Sequence, residues 1–450
     1  MGDIEKNGLA GGAAAEPGAS RGGTDRRLRN VSAMPAPTWS WLHMNKAAVE
    51  IPAGLERARD AVSVEPAPGS ERVVSRNFDT FDDAMAGASK RYAGRARASA
   101  PGDAAQRAKL AAGELDTMDV PALSEYQKGA VRVEEELSCA EAFQTGLGDE
   151  AYAYLRGLHG MPVVLDVPSG KAAQVTVRVD GRSGAAAAAS VDVVARRGST
   201  LDLTIALDSP DAGAGAAGVA GASLRVFAAE DARVNVTSVQ TLDDGFIALD
   251  DTGVFADAGA RVDVTQTVLG GGKSYTGVAV DLRGDRSRTE IDTSYLGARE
   301  QEHDFNYSIR HLGRKTRSNM DANGVLAGSS KKTLRGTIDL MHGCKGSEGA
   351  ERETVLLADD GVENKTVPVI LCDEDDVAGN HGATIGHVRP EQLLYLGCRG
   401  LSQKDAEALF VAAKLEDAAL RAPDARVRAG VERLGRAVVP HFEDFEEEIA

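Results

Sequence analysis

The chain has 450 residues, 42% of them hydrophobic, which is enough for two or three folding units with a substantial core. Its formal net charge of −17 argues against nucleic-acid binding, because a phosphate backbone must be neutralised by basic side chains. Aromatic residues make up only 4% of the chain and glycine occurs 50 times, so we expect a core of small and β-branched side chains.

The four cysteines, Cys139, Cys344, Cys372 and Cys398, lie far apart and form no CxxC pair. This spacing does not fit a disulfide scaffold or a four-thiolate zinc or iron–sulfur motif, and it indicates reduced thiols. The N-terminus lacks the apolar region of a secretory signal, and no run approaches the roughly 18 apolar residues of a membrane helix. We therefore predict a cytoplasmic protein that does not enter a membrane.

The N-terminal part is predicted to be a disordered tail followed by a helical region. Residues 1–30 are rich in Gly, Ala and polar side chains without periodicity, which is typical of disorder. Residues 31–160 form the predicted N-terminal helical region, in which Trp39 and Trp41 are interpreted as a hydrophobic anchor. From Glu50 onward the spacing of apolar residues is mainly helical.

From residue 161 to residue 387 the hydrophobic pattern has a period of two. Apolar and polar side chains alternate in nine segments: VVLDV, QVTVRV, SVDVVA, LDLTIAL, SLRVF, RVNVTSV, RVDVTQTV, GVAVDL and TEIDTSYL. Such alternation, repeatedly interrupted by Gly or Asp, predicts β-strands with one buried face. No helix-forming stretch lies between the segments, so βαβ units are not expected.

These strands also repeat at longer intervals. Matching positions are Val175, Leu201, Val234, Val262, Thr289 and Ser318, which are 26, 33, 28, 27 and 29 residues apart. We interpret residues 208–221, in the longest interval, as a loop insertion. A repeat of this length built from strands alone predicts a β-solenoid. A propeller or a sandwich is the alternative, but neither a blade motif nor a regular series of hairpin turns is present.

Residues 388–450 are predicted to form a C-terminal helical domain. Pro390 suits the first turn of a helix, and Ser402 and Asp405 are spaced like a capping box for a second one. A third helix is predicted over 424–440, followed by an acidic tail.

Residues 363–386, ENKTVPVILCDEDDVAGNHGATIG, hold the strongest candidate site. An apolar strand leads into Cys372, four consecutive acids follow, and His381 comes soon after them. Thiol, carboxylate and imidazole groups suit soft and borderline metals. We expect the acids to be a solvated rim at the end of the β region. His342 and Cys344 form a second, weaker imidazole–thiol pair.

Several long motifs closely resemble the SufB/SufD family of iron–sulfur cluster assembly scaffolds. They are YTGVAVDL, RGTIDL, ENKTVPVILCDEDDV, GNHGATIG and EQLLYLGCRGLSQKDAEALFV, in the expected order, together with TWSWLHMN near the N-terminus. Gly382 follows His381, where the SufB form carries Glu, so the chain looks SufD-like. The resemblance implies a mainly β fold: a right-handed parallel β-helix flanked by N-terminal and C-terminal α-helical regions.

The resemblance also implies a site and partners. His381 matches the SufD histidine at the SufB–SufD interface, where a transient iron–sulfur cluster forms, and Cys372 is a second candidate ligand for the metal. A SufC-type ABC ATPase would dock on the C-terminal helices, at about 390–415. A SufB-type paralogue or a second copy would pair with the end of the β-helix, and sulfur-donor proteins of the SUF system would supply sulfide. The chain itself would be a scaffold, with ATPase activity on its partner.

Two other functions fit the same β region. One is a β-helix carbohydrate-active enzyme, although such sites need two carboxyls about 5–10 Å apart beside an aromatic-lined groove, and aromatic residues are few here. The other is a purely structural SUF subunit whose partner holds every cluster ligand.

Overall fold

The computed structural model describes residues 26–35, 44–92, 143–210, 215–387 and 389–439. Its main body is a parallel β-solenoid of eight turns, with helices on the outside. The mainly β fold flanked by helices is therefore confirmed. The tryptophan anchor, Cys139 and the acidic tail lie outside the described residues, as does most of the predicted tail at 1–30.

The N-terminal part contains more β-structure than the sequence predicts. Its elements are β1 (Arg26–Val31), β2 (Ala47–Ile51), β3 (Glu56–Arg57), β4 (Val62–Pro66), β5 (Val74–Ser75), α1 (Thr80–Tyr92) and α2 (Asp149–His159), with short 3-10 turns at Arg59–Ala61 and Glu71–Val73. Thus 26–30 form a strand rather than a disordered tail, and 50–75 contain short strands and 3-10 turns where a mainly helical pattern was expected. The reason is pairing: β1 and β2 form a hairpin, and β4 and β5 pair antiparallel with the first solenoid strands.

Each turn of the solenoid contributes one strand to each of two sheets. The first sheet holds β6 (Val163–Val167), β8 (Ala185–Ala195), β10 (Gly218–Ala228), β12 (Phe246–Ala256), β14 (Lys273–Leu282), β16 (Glu302–His311), β18 (Lys331–Leu340) and β20 (Glu363–Cys372). The second sheet holds β7 (Ala172–Asp180), β9 (Thr200–Asp208), β11 (Arg233–Thr241), β13 (Arg261–Val268), β15 (Arg288–Gly297), β17 (Arg317–Leu326), β19 (Ser347–Leu357) and β21 (Val377–His387). Neighbouring strands within each series run parallel.

The observed register corrects one interval of the predicted repeat. Leu201, Val234, Val262, Thr289 and Ser318 do stack on one another. Leu201 pairs with Ala173, however, and Val175 pairs with Leu203. The first interval is therefore 28 residues, from 173 to 201, rather than 26. An alternating pattern looks the same after a shift of two residues, so it cannot detect this error. The predicted loop at 208–221 is also shorter, because β10 begins at Gly218.

The side chains that point into the solenoid change character along its axis. In the first turns they are Val, Leu and Ala, as in β7 and β9, and they form one continuous apolar core. Polar side chains enter the interior at Asp250 and Ser238, whose side chains are hydrogen-bonded at 2.6 Å. They continue to a buried lysine in β18, near the last turn. The interior is therefore apolar at one end and polar at the other.

Three helices follow the last strand: α3 (Pro390–Cys398), α4 (Gln403–Leu420) and α5 (Ala425–Val438). The predicted capping box is present, since the Asp405 backbone N–H donates to Ser402 Oγ at 3.2 Å. Leu415 and Leu434 pack from α4 and α5 against Leu296 at the end of β15. These two helices thus lie on the outer face of the second sheet. No helix in the described part of the chain is both long and apolar enough to cross a membrane.

Candidate functional site

The two ends of the solenoid differ in how the edges of their strands are paired. At the first turn, β4 and β5 cover the edges of both sheets with antiparallel pairs. At the last turn, β20 pairs only with β18, and β21 pairs only with β19, among the described strands. A long strand with one unpaired edge is a template for pairing with another chain. We call this last turn, β20 with β21, the open end.

His381 lies in the middle of β21, at the open end. It pairs in register with Glu351 of β19, whose side chain points into the solenoid. His381 has the same orientation as Gly379, where an added Cβ would lie 3.1 Å from Ile370 Cγ2 across the core. The imidazole is exposed and therefore lies over the uncovered end of the interior.

Cys372 is the last residue of β20 and is also exposed. Its thiol donates to the Glu374 backbone carbonyl at 3.2 Å. Ile370 of β20 faces Gly379 of β21 across the interior. From this contact Cys372 lies two residues toward the turn that joins the strands, whereas His381 lies two residues away from that turn. They are four strand positions apart, roughly 13 Å at about 3.3 Å per residue. The structure does not bring the two predicted ligands together around one metal ion.

The four acids after Cys372 do not all form a solvated rim. Asp373, Asp375 and Asp376 are exposed, as expected, but Glu374 is only 9% exposed. Its carboxylate accepts the Gly343 N–H at 2.9 Å and lies 3.8 Å from His342 Nδ1. Glu374 therefore joins the last two turns of the solenoid.

The second predicted pair, His342 and Cys344, is also split between the surface and the interior. His342 is exposed in the turn after β18, whereas Cys344 is part of the apolar core. Burial raises the pKa of the Cys344 thiol to about 12, so it stays protonated near neutral pH. A protonated core thiol is a poor metal ligand.

A buried charged cluster, not predicted from the sequence, lies beneath the open end. Lys332 Nζ forms a hydrogen-bonded ion pair with the Glu353 carboxylate, and both side chains are at most 1% exposed. Glu353 also accepts from Thr366 Oγ1 at 2.5 Å and from the Tyr295 hydroxyl at 3.2 Å. The alternating pattern of β18 could have revealed the buried lysine, because it puts Lys332 on the same face as the core residue Leu334.

Glu351 belongs to this cluster and lies next to His381. Its carboxyl sits over Gly336, where an added Cβ would be 2.2 Å from Glu351 Oε1. Burial first, and then the nearby Glu353, raise the pKa of Glu351 to about 7. Glu351 Oε2 has no hydrogen-bond partner in the described part of the chain. The open end therefore presents an exposed imidazole above a buried carboxyl group.

The donor groups at the open end are too few for a complete metal site. In the described ranges, no three His, Cys, Asp or Glu side chains are placed to hold one ion. Iron–sulfur clusters need about four protein ligands. The described residues of this chain could therefore supply only part of such a ligand set.

A second exposed surface lies on α3, directly after β21. None of the residues of α3 is buried, although the helix contains Leu394 and Tyr395, which are 69% and 57% exposed. Leu401, after the helix, and Ile385, in β21, are exposed as well. Several large exposed apolar side chains in one short segment are typical of protein–protein contacts. We call Ile385, Leu394, Tyr395 and Leu401 the apolar patch.

Comparison with known proteins gives a consistent result. The family model described as "SUF system FeS cluster assembly, SufBD core domain" matches residues 177–414, just over half of the chain. The iron–sulfur cluster assembly protein SufD of Bacillus subtilis is 26% identical over 187 residues, 41% of this chain and 43% of that protein. A SufBD family protein of Mycobacterium tuberculosis is 28% identical over 202 residues, 45% of this chain and 24% of that protein.

A similar protein from Synechocystis, also of the SufBD family, is 26% identical over 165 residues, 37% of this chain and 34% of that protein. The matched segments thus span less than half of the length of each of these relatives. The family match begins in β7 and ends in α4, so it includes the open end, Cys372, His381 and the apolar patch.

Proposed function

Because the chain belongs to the SufBD family of the SUF iron–sulfur assembly system, we propose that it is a SufD-like scaffold subunit. In this proposal, the open end pairs with a SufB-type paralogue or a second copy, and a nascent cluster is built at the interface. The chain catalyses no reaction of its own, and ATP is hydrolysed by a SufC-type partner. We also propose a cytoplasmic location.

The observation that carries the proposal is the uncovered last turn. An 11-residue strand is exposed along nearly its whole length and has one free hydrogen-bonding edge among the described strands. Pairing with a similar edge would continue both sheets and cover the polar interior. His381 would then lie inside the interface, where water is excluded and a weakly held metal is protected.

In the proposed site this chain provides part of the ligand set. Iron and sulfide are the cargo, and His381 is the ligand we assign, with Cys372 as a second candidate near the corner of the same turn. A neutral imidazole can bind iron through the lone pair of one ring nitrogen. Clusters that carry histidine in place of thiolate have different potentials from all-thiolate clusters. The remaining ligands would come from the partner, and sulfide from a sulfur-donor protein of the SUF system.

The apolar patch supports a docking site for the SufC-type ABC ATPase. It continues from β21 through α3, so a protein bound there would contact the open end and the C-terminal helices together. Closure of two ATPase subunits would move the two scaffold chains against each other and expose His381 to iron and sulfide. In this mechanism the chain transmits the motion and holds the donor, but it moves no proton and breaks no bond.

Reconstitution of the complex tests this function. The chain would be co-expressed with a SufB-type and a SufC-type protein and loaded anaerobically with iron and sulfide, and visible absorption would then be recorded. We expect His381→Ala to lose most of the cluster absorption while the complex still co-purifies. The matched control is His342→Ala, an exposed histidine outside the open end, which should load normally. Normal loading by His381→Ala would assign all ligands to the partner and make this chain a purely structural subunit.

A further inference from the structure

One edge of the solenoid contains a series of equivalent turns. They connect the first sheet to the second, and each has one residue with a positive φ angle at the same position. In every case the backbone N–H of that residue donates to a carbonyl in the next turn. The residues are Gly170 (67°), Gly198 (62°), Asp231 (57°), Gly259 (66°), Arg286 (62°), Lys315 (55°) and Gly346 (72°).

Two of these residues are unusual for their backbone conformation. Glycine adopts positive φ without a steric penalty, and aspartate tolerates it, but a long side chain is strained there. Arg286 and Lys315 nevertheless hold this position in adjacent turns. In the described part of the chain, neither side chain makes a hydrogen bond or an ion pair. The Lys315 stem lies beside Gly346, where an added Cβ would be 3.2 Å from Lys315 Cγ. The strain therefore brings no polar contact with the described residues.

Arg299, by contrast, has a strained backbone and also makes polar contacts within the protein. It also has a positive φ, of 54°, but it lies at the opposite edge of the solenoid. Its guanidinium is 2.6 Å from Asp244 Oδ2, and it donates to the Ala437 carbonyl at the end of α5 at 3.2 Å. The strain at Arg299 thus anchors a helix, which the strain at Arg286 and Lys315 does not.

The two residues belong to a larger group of cations. In three adjacent turns, about 4.8 Å apart, five exposed cationic side chains have no ion-pair partner among the described residues. We call this group the basic edge, and it consists of Arg286, Arg288, Arg314, Lys315 and Lys345. Of the nearby acids, Glu290 pairs with Arg261, Glu348 pairs with Arg317, and Asp285 accepts the Arg314 backbone N–H. The edge becomes acidic only at the next turn, with the exposed Asp375 and Asp376. The basic edge is a cationic strip on a chain with a net charge of −17.

We propose that the basic edge is a docking surface for an acidic segment of a partner protein. An acidic peptide with one carboxylate at every second residue carries a charge about every 7 Å, so several of its flexible carboxylates can reach the cations of adjacent turns. Duplex DNA carries one about every 1.7 Å, so the net negative charge of the whole chain repels it more strongly. The basic edge shares no residue with the open end or the apolar patch, and only Lys345 lies on the turn next to the open end. It does not depend on the proposed role of His381.

The test replaces both residues by glycine, the residue that holds the same position in four other turns. Arg286→Gly with Lys315→Gly restores the residue that neighbouring turns use, so the thermal midpoint should stay the same or rise. The probe is a fluorescein-labelled decapeptide of alternating Glu and Ser, followed by anisotropy at low and at physiological salt. We expect the double variant to bind it roughly tenfold more weakly, and we expect added salt to weaken binding to the natural chain.

The control is Arg299→Gly, the same change at a strained arginine on the opposite edge. It should leave peptide affinity unchanged, even though it removes contacts to α5. The proposal is overturned if the double variant binds the peptide as tightly as the natural chain. It is also overturned if a single-stranded decanucleotide binds the basic edge more tightly than the peptide does, because the partner would then be a nucleic acid.

Discussion

Replacing Lys332 alone should destabilise the protein far more than removing its whole ion pair. The Lys332 and Glu353 side chains are 0% and 1% exposed, and the ammonium also donates to Thr366 Oγ1 at 3.1 Å. Burial lowers the pKa of Lys332, and the adjacent Glu353 carboxylate opposes that shift. Lys332→Met leaves the Glu353 carboxylate buried without a counter-charge, which should cost about 3–5 kcal/mol of unfolding free energy.

The double variant Lys332→Met/Glu353→Gln removes both charges but keeps an acceptor for Tyr295 and Thr366. Its unfolding free energy should lie within about 1 kcal/mol of the natural value, since replacing a buried ion pair is often neutral or stabilising. The control is Lys331→Met, at a neighbouring lysine whose side chain is 55% exposed and 3.9 Å from Glu302. That change should cost less than about 0.5 kcal/mol.

Urea unfolding followed by circular dichroism measures all four proteins under the same conditions. If Lys332 and Glu353 are a buried ion pair, the double variant must be clearly more stable than Lys332→Met. If the double variant is as unstable as the single one, or if Lys332→Met behaves like Lys331→Met, the buried cluster is not a charged pair.

Three further predictions concern other parts of the chain. Burial raises the pKa of Asp251 from 3.8 to about 7, so this group should reduce the unfolding free energy by roughly 2.5 kcal/mol as pH rises from 5 to 8. Asp251→Asn should remove that pH dependence, which urea titrations at pH 5 and pH 8 would show. Gly324→Ala should lower the thermal midpoint strongly, because the new Cβ would lie 2.1 Å from the Tyr295 ring; an unchanged midpoint would contradict this packing. Leu394→Ser with Tyr395→Ser should weaken co-purification with the SufC-type ATPase by tenfold or more without lowering the thermal midpoint, whereas unchanged co-purification would remove the apolar patch from the docking surface.

Much of the fold could be predicted because the solenoid repeats one local pattern. Alternation indicated the strands, and the interval between matching residues indicated stacked turns. The N-terminal strands were missed because their partners are distant in sequence: Val64 of β4 pairs with Val177 of β7. A local pattern carries no information about such pairing.

The candidate site was predictable only in part. Cys372 and His381 are nine residues apart in sequence, which suggested a common site, but a sharp turn between two strands sends their side chains to different places. Glu374 looked like one of four equivalent acids until the stacking of turns brought it to Gly343. Glu351 is distant from His381 in sequence, and only the register of β19 with β21 makes them neighbours.

The proposed function requires His381 to be a ligand of a cluster held between two chains. Pulsed electron paramagnetic resonance of the reduced, reconstituted complex tests it directly when only this chain carries ¹⁵N-labelled histidine. We expect a ¹⁵N coupling of a size typical of a directly bound imidazole, and we expect His381→Ala to remove it. If the cluster forms normally but shows no ¹⁵N coupling, His381 is not a ligand.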